Sequence, residues 1–319
     1  MDLSLHFAGT AGSVPTARRG LPATLLRAGG DRILFDCGEG TQRQLIRSVG
    51  LVELDAIFLT HHHIDHWLGL PGLFKSFDLR DRDRELLLYG PPGTAALLQS
   101  VRPTYGRLGY PLTITDLEAG DVLEWDGYEI EAFNVKHRGR AFGYAIVEED
   151  RPGRFDAERA VALGVRPGPD FGRLQAGETV DGVTPDQVIG EDRRGRRIVL
   201  SGDTRPCDAV RAHAAGADLL VHESTFLHED LARAGETGHT TARQAAELAA
   251  EADVGLLALT HVSQRYHPRA LREEARAVFA RTELPRDHDH VVVPFPEKGP
   301  PELVRPARPE PATPQETAA

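Results

Sequence analysis

Short apolar runs alternate with amphipathic segments along most of the chain. We predict strands at Leu3–Phe7, Ala23–Leu26, Ile33–Phe35, Ala56–Leu59, Leu86–Tyr89, Leu112–Ile114, Val122–Trp125, Tyr128–Val135, Ala141–Val147, Arg197–Leu200, Asp218–Val221, Gly255–Leu259 and His290–Val293. Helical periodicity is found at Thr41–Val49, Leu68–Leu79, Gly93–Val101, Cys207–His213, Thr241–Glu251 and Arg269–Ala280. This alternation is typical of a layered α/β domain with helices on the sheet faces. The succession of early strands favours mixed sheets over a purely parallel one.

Two regions break the alternation. Residues 149–196 are rich in glycine, proline and charge, and an uninterrupted loop of that length is uncommon in a compact domain. We interpret it as an inserted flexible arm within a domain spanning residues 1–296, with a disordered insertion as the alternative. The proline-rich tail 297–319 is predicted to be extended and disordered.

Composition narrows the class of protein. The 319 residues include 37 basic and 48 acidic side chains, which give a net charge of −11, and 40% are hydrophobic. No apolar run approaches the ~18 residues of a membrane span, and the N-terminus lacks the features of a signal peptide. Two cysteines suit a reducing compartment, so we expect a cytoplasmic protein without membrane contact.

The charge balance bears on whether the partner is a nucleic acid. A uniformly acidic surface would argue against one, because nonspecific binding rests on basic groups meeting phosphate. Only three of the 37 basic residues are lysine, however, and arginine offers a planar fork for phosphate. Composition alone still favours coding bias or thermal adaptation as the source of this arginine excess.

A cluster of imidazoles follows the strand predicted at 56–59. In the run His61-His-His-Ile-Asp-His66, alternate residues of an extended chain point the same way, so His61 and His63 share one side. Asp65 and His66 then begin a turn and face a second point. Imidazole and carboxylate are ligands of Zn²⁺, with Mn²⁺ as the alternative ion. A surface histidine run is disfavoured because the cluster follows an apolar strand.

Three further candidate ligands each follow another apolar strand: His137, Asp203 and His261. Open α/β sheets place their sites at such strand ends. The seven residues complete two metal positions, with Asp203 bridging. One position takes His61, His63 and His137, and the other takes Asp65, His66 and His261.

The histidine run resembles the HxHxDH motif of the metallo-β-lactamase superfamily, and further segments resemble the ribonuclease Z family. These segments are Phe7–Gly12, Leu34–Gln42, Gly69–Phe74, Ala141–Tyr144, Val165–Pro169, Ser201–Thr204 and Leu259–Tyr266. The resemblance extends from the start of the chain to about Pro296. It implies a four-layer αβ/βα sandwich, two zinc ions per subunit, a homodimer, and removal of the 3′ trailer from precursor tRNA.

The resemblance also implies roles for individual residues. His239 is the expected general acid and Glu223 its partner, while Asp65 both ligates metal and orients the attacking hydroxide. Ser263 and Arg265 are expected to contact the phosphate. Asp36 either holds a ligand imidazole or makes an ordinary turn before Gly38.

Recognition of the RNA is assigned to the arm, which in this family grips the tRNA elbow from the partner subunit. Residues 151–173 carry a net charge of +2, and the cluster 193–197 adds four arginines, although a solvated charge run is the alternative. The family's PxKxRN loop corresponds to residues 15–20. It keeps Arg19 as a phosphate contact but has Ala17 and Gly20 in place of lysine and asparagine, which leaves discrimination of a CCA end open.

Two rival functions differ in class. One is another hydrolase of the same fold that acts on a small molecule, such as a phosphodiesterase, a thioesterase of the glyoxalase II type or a β-lactamase. The other is a catalytically silent RNA-binding subunit, which would require missing metal ligands. The sequence lacks none of them.

Overall fold

The computed structural model describes residues 1–306. Its strands are β1 Leu3–Gly9, β2 Ala23–Ala28, β3 Asp31–Phe35, β4 Ala56–Phe58, β5 Leu86–Gly90, β6 Leu112–Asp116, β7 Val122–Trp125, β8 Tyr128–Asn134, β9 Phe142–Glu148, β10 Arg197–Leu200, β11 Leu219–Glu223, β12 Leu256–Thr260, β13 Thr282–Glu283, β14 His290–Val292 and β15 Glu302–Val304. Its helices are α1 Thr41–Ser48, α2 Ile64–Trp67, α3 Leu70–Asp78, α4 Thr94–Tyr105, α5 Ala157–Ala162, α6 Pro169–Gln175, α7 Asp208–Ala214, α8 Leu231–Thr237, α9 Ala242–Glu251 and α10 Pro268–Arg276.

The strands form two sheets. The first has the order β15-β14-β1-β2-β3-β4-β5-β6, and the second has the order β13-β12-β11-β10-β9-β8-β7. Strands β3 to β6 and β10 to β13 run parallel, whereas the other neighbours are antiparallel. The prediction of mixed sheets is therefore confirmed.

Side chains alternate between the two faces of each strand and so build separate apolar layers. Ile198 and Leu200 point into the core between the sheets, while Val199 points toward the helices α7, α9 and α10. On the other side, Leu70, Leu73 and Phe77 recur at helical spacing and bind α3 to the first sheet. The predicted four-layer αβ/βα sandwich is confirmed, with one helix layer outside each sheet.

The inserted arm, residues 149–196, has secondary structure of its own. It contains α5 and α6, and six buried apolar side chains form a separate small core: Ala160, Val165, Leu174, Val180, Val183 and Val188. The carboxylate of Asp156 caps α5 by accepting the N–H of Arg159 at 2.9 Å. The alternative of a disordered insertion is therefore not supported, and the sequence did not reveal these helices because six and seven residues leave too short a periodic signal.

The prediction of a disordered tail from residue 297 was wrong for its described part. Strand β15 pairs antiparallel with β14 at the edge of the first sheet, and Leu303 packs against the core between the sheets. The flanking prolines lie outside the strand, where no ladder N–H is needed. Residues 307–319 of the predicted tail lie outside the described residues. Within residues 1–306, no helix has the length and apolar run needed to span a bilayer.

Candidate metal centre

The predicted ligands meet where both sheets present the carboxyl ends of their parallel strands. His61 follows β4 of the first sheet, whereas Asp203 follows β10 and His261 follows β12 of the second. The centre thus lies at one edge of the sandwich, as expected for polar residues that end buried strands.

Three ring nitrogens form the first group of ligand atoms. The Nδ1 of His63 lies 2.9 Å from the Nε2 of His61 and 3.1 Å from the Nε2 of His137. These are the three residues predicted for the first metal position. They can hold one ion from three directions.

The second group forms around two carboxylates. Asp203 Oδ2 lies 3.4 Å from His66 Nε2 and 3.1 Å from His261 Nε2. Asp65 Oδ2 lies 3.6 and 3.5 Å from the same two nitrogens. Asp203 also approaches His61 Nε2 of the first group at 3.9 Å, so its position between the groups agrees with the predicted bridging role.

Acceptors fix the tautomers of four histidines. Each Nδ1 faces an oxygen: His66 faces Asp36 Oδ2 at 2.7 Å, His137 the Gly238 carbonyl at 2.8 Å, His61 Thr60 Oγ1 at 3.0 Å and His261 Thr225 Oγ1 at 2.8 Å. The two threonine hydroxyls donate their own protons to Asp36 and Glu223. They must therefore accept from the imidazoles, so Nε2 is the ring nitrogen that each of these histidines turns toward the centre.

This donor set fits divalent metal ions. Among the described residues, the buried Nε2 atoms of His66 and His261 have no hydrogen-bond partner. A buried polar atom left unpaired costs about 1–3 kcal/mol, so two such nitrogens beside two carboxylates are suited to a divalent cation. The first group adds three ring nitrogens that face one another at 2.9 and 3.1 Å.

The electrostatics keep both carboxylates ionised. Burial by itself would raise the pKa of Asp65, but His261 and His66 outweigh it and lower the pKa to about 2. Burial likewise opposes ionisation of Asp203, yet His261 and His66 hold its pKa well below the usual range. Ser13 donates its N–H to Asp65 Oδ2 at 2.9 Å and so fixes this carboxylate.

A second imidazole–carboxylate pair lies beside the ligands. His239 Nδ1 lies 2.8 Å from Glu223 Oε1, and the same carboxylate accepts from the N–H of Thr204 and the hydroxyl of Thr225. Burial alone would lower the pKa of His239, but Glu223 outweighs it and raises the pKa to about 9. The predicted pair is brought together, with a protonated imidazole 3.8 Å from Asp203.

The three residues predicted to contact the phosphate differ in burial and surroundings. Ser263 and Arg265 follow the predicted ligand His261 in the chain, and Arg265 is exposed. Arg19 is buried instead, and its guanidinium donates to Thr10 Oγ1 and to the Pro285 carbonyl. The prediction for Arg19 was therefore wrong, because its guanidinium anchors the loop 12–20 and does not face a substrate.

Most arginines of the predicted basic cluster at 193–197 are paired within the protein. Arg196 is buried against Glu148 at 2.7 Å, and Arg194 binds both oxygens of Asp218 at 2.8 and 3.0 Å. The whole arm contains eight arginines and ten acidic residues. The prediction that this cluster supplies free positive charge was wrong. The exposed arm arginines without an ion pair in the described chain are Arg154, Arg159 and Arg166.

Sequence reasoning missed the residues that support the ligands. Thr60 and Thr225 orient the imidazoles of candidate ligands. Their only signal in the sequence is that each lies within two residues of a predicted site residue. Gly12 is needed because a Cβ there would collide with the His261 ring. Asp36 holds His66 from a left-handed backbone with φ of 58°, so the ligand-holding alternative is the one the geometry supports.

Comparison with known proteins agrees with this geometry. Residues 19–261 match the model of the metallo-beta-lactamase superfamily. The chain is 49% identical to ribonuclease Z of Gemmatimonas aurantiaca, covering 90% of this chain and 95% of that protein, and 46% identical to ribonuclease Z of Natronomonas pharaonis, covering 93% and 100%. The short form of human tRNase Z superposes with a TM-score of 0.68 at 26% identity, covering 91% of this chain and 99% of that structure.

Proposed function

The chain belongs to the ribonuclease Z family of the metallo-β-lactamase superfamily, and we propose that it is a zinc-dependent endoribonuclease that removes the 3′ trailer from precursor tRNA. The products are a tRNA with a 3′-hydroxyl and a trailer with a 5′-phosphate. The observation that carries this proposal is the complete set of seven ligands beside the pair of His239 and Glu223.

We assign two Zn²⁺ ions to each subunit, with Mn²⁺ as the alternative ion. One would be held by His61, His63 and His137 and the other by Asp65, His66 and His261, with the Asp203 carboxylate between the two groups of side chains. When bound, the two ions stabilise charge on the scissile phosphate and make a water acidic enough for in-line attack near neutral pH.

The protein's own groups handle the protons. Asp65, ionised and fixed by the Ser13 N–H, orients the attacking water with its carboxylate. His239 protonates the leaving 3′-oxygen, because Glu223 occupies its Nδ1 and leaves Nε2 as the face from which a proton is delivered. Ser263 and Arg265 contact the phosphate from the end of β12.

The arm accounts for the choice of a large RNA over a small phosphodiester. Arg154, Arg159 and Arg166 are exposed and free of ion pairs in the described chain, so they can meet RNA phosphates although the arm as a whole is acidic. We propose that the arm of one subunit presents tRNA to the metal centre of the other in a cytoplasmic homodimer. The two buried, unpaired cysteines suit that compartment.

Removal of the arm tests this function against the rival hydrolase. A variant with residues 151–195 replaced by a short glycine–serine linker should lose precursor-tRNA cleavage. Hydrolysis of bis-p-nitrophenyl phosphate should continue, since no predicted ligand lies in the deleted segment. Equal loss of both activities would count against an RNA-binding arm, and hydrolysis of the small substrate without any tRNA cleavage by the intact protein would favour the rival.

A further inference from the structure

A stalk of two segments joins the arm to the sandwich: residues 149–155 lead out to the arm and residues 189–196 lead back. The segment that follows β14 contacts both of them. The ring of Phe295 lies under two guanidinium groups. The central carbon of Arg151 is 3.5 Å from the ring centroid, and that of Arg196 is 4.0 Å away. Because Arg151 belongs to the outgoing strand and Arg196 to the returning one, a single aromatic ring joins the two.

A carboxylate also joins the two segments of the stalk. Glu297 accepts hydrogen bonds from both terminal nitrogens of Arg151 at 3.0 Å and from one nitrogen of Arg193 at 3.1 Å. Arg151 and Arg193 face each other as a single bridge pair of the stalk. Glu297 therefore neutralises two arginines whose charges would otherwise repel each other at the base of the arm.

Arg196 also connects the stalk to the sandwich. Arg196 is buried, binds Glu148 at the end of β9, and donates to the Val293 carbonyl at 2.7 Å. Within the stalk, two isolated bridge pairs and a few single hydrogen bonds, such as that from the Gly190 N–H to the Arg154 carbonyl at 3.0 Å, join the outgoing and returning segments to each other. These contacts do not attach the stalk to the sandwich, so the direction of the arm depends on the contacts at its base, which also include the pair of Arg194 with Asp218.

We propose that Phe295 and Glu297 form a clasp that sets the direction of the arm, and that through it they are positioning residues for precursor tRNA. The second part rests on the proposed function. Glu297 of the clasp lies in the segment that the sequence pattern assigned to the tail, and both clasp residues contact arginines that it assigned to RNA binding. Its loss should weaken binding of the long substrate while the metal centre stays intact.

The test uses the full-length, zinc-loaded protein with the substitutions Glu297→Gln and Phe295→Leu. Glu302→Gln is the matched control, because Glu302 is an exposed acid on β15 without a side-chain partner among the described residues. Hydrogen exchange of the stalk peptides reports the clasp directly. Steady-state kinetics on precursor tRNA and on bis-p-nitrophenyl phosphate report its consequence.

We expect stalk exchange to accelerate and KM for precursor tRNA to rise, each by about fivefold, the size of one lost charged or cation–π contact. The kcat on precursor tRNA and hydrolysis of the small substrate should stay at the wild-type level. Exchange and KM values equal to those of Glu302→Gln would overturn the clasp, as would a parallel loss of both activities. If the wild-type protein fails to cut precursor tRNA, the proposed function fails, and hydrogen exchange alone still decides whether the clasp exists.

Discussion

The buried carboxylate of Glu223 lies 2.8 Å from Nδ1 of His239 and orients a protonated imidazole at the edge of the metal centre. The other oxygen of Glu223 accepts the Thr225 hydroxyl, which in turn faces the imidazole of His261. One carboxylate thus supports both a proposed metal ligand and the proposed general acid. If these roles hold, proton delivery and metal binding depend on the same buried group.

Removing the general acid should separate chemistry from metal binding. His239→Ala is expected to lower the single-turnover rate on precursor tRNA by about 10²–10⁴-fold, the usual contribution of a positioned acid. Zinc content, measured by mass spectrometry, should stay at two ions per chain, because all seven ligands remain. A normal single-turnover rate with both ions bound would exclude His239 from this role.

The carboxylate behind His66 should control metal affinity. Asp36→Asn removes the charge that accepts the His66 Nδ1 proton, so zinc affinity should fall by about 10–100-fold in chelator competition. Glu39→Gln, an exposed substitution three residues further along the chain, is the control. Equal zinc affinity in the two variants would show that Asp36 does not support the ligand.

Free and paired arginines of the arm should behave differently toward RNA. The triple substitution Arg154→Gln, Arg159→Gln and Arg166→Gln should raise KM for precursor tRNA and flatten its dependence on salt by about 0.7–0.9 in slope for each lost phosphate contact. Arg173→Gln should change little, because this guanidinium already binds Glu178 and Asp170. Indistinguishable salt slopes for the two variants would contradict this division of the arm.

The buried pair at the base of the arm predicts a dependence of stability on pH. Burial alone would raise the pKa of Glu148, but hydrogen bonds and charge from Arg196 outweigh it and hold the pKa below its ordinary value of 4.5. The pair's contribution is therefore fully present above that value and is lost as the pH falls through the lower pKa of the folded state.

Glu148→Gln should accordingly lower the free energy of unfolding at pH 7 by about 3 kcal/mol, as expected when one partner of a buried pair is removed. The deficit relative to wild type should shrink below pH 4.5 in denaturant titrations. Glu149→Gln, at an exposed neighbouring position, should leave stability unchanged. A deficit that stays constant down to pH 3 would show that the charge of Glu148 is not the source of the effect.

The residue pattern predicted the layered α/β domain and the candidate ligands for one physical reason, whereas the four-layer sandwich was implied by the family resemblance. Buried strands carry long apolar runs, and a polar residue that ends such a run, such as Asp203 or His261, must lie at a sheet edge. What the sequence could not convey was the choice of partner for each charged side chain. Arg19 donates to the Pro285 carbonyl and Arg196 to Glu148, through contacts between residues distant in the chain.

The sequence did not reveal the ordered elements of the arm and the tail for a related reason. Their short helices and the three-residue strand β15 depend on contacts with other segments more than on local periodicity. Glycine and proline, which indicate loops when read locally, occur here beside short ordered elements. The supporting groups Thr60 and Ser13 were equally hidden, since they act through hydrogen bonds to Asp36 and Asp65, which a local reading of the sequence does not reveal.

Incubation of the zinc-loaded protein with a 5′-labelled precursor tRNA that carries a 3′ trailer tests the proposed endoribonuclease activity directly. A parallel precursor with an encoded CCA examines the departure at Ala17 and Gly20. We predict one cut at the end of the tRNA, a 3′-hydroxyl on the labelled product and a 5′-phosphate on the trailer, with activity lost on chelation and restored by zinc. An uncut precursor in the presence of fully metallated protein, or a product ending in a 3′-phosphate, would contradict the account.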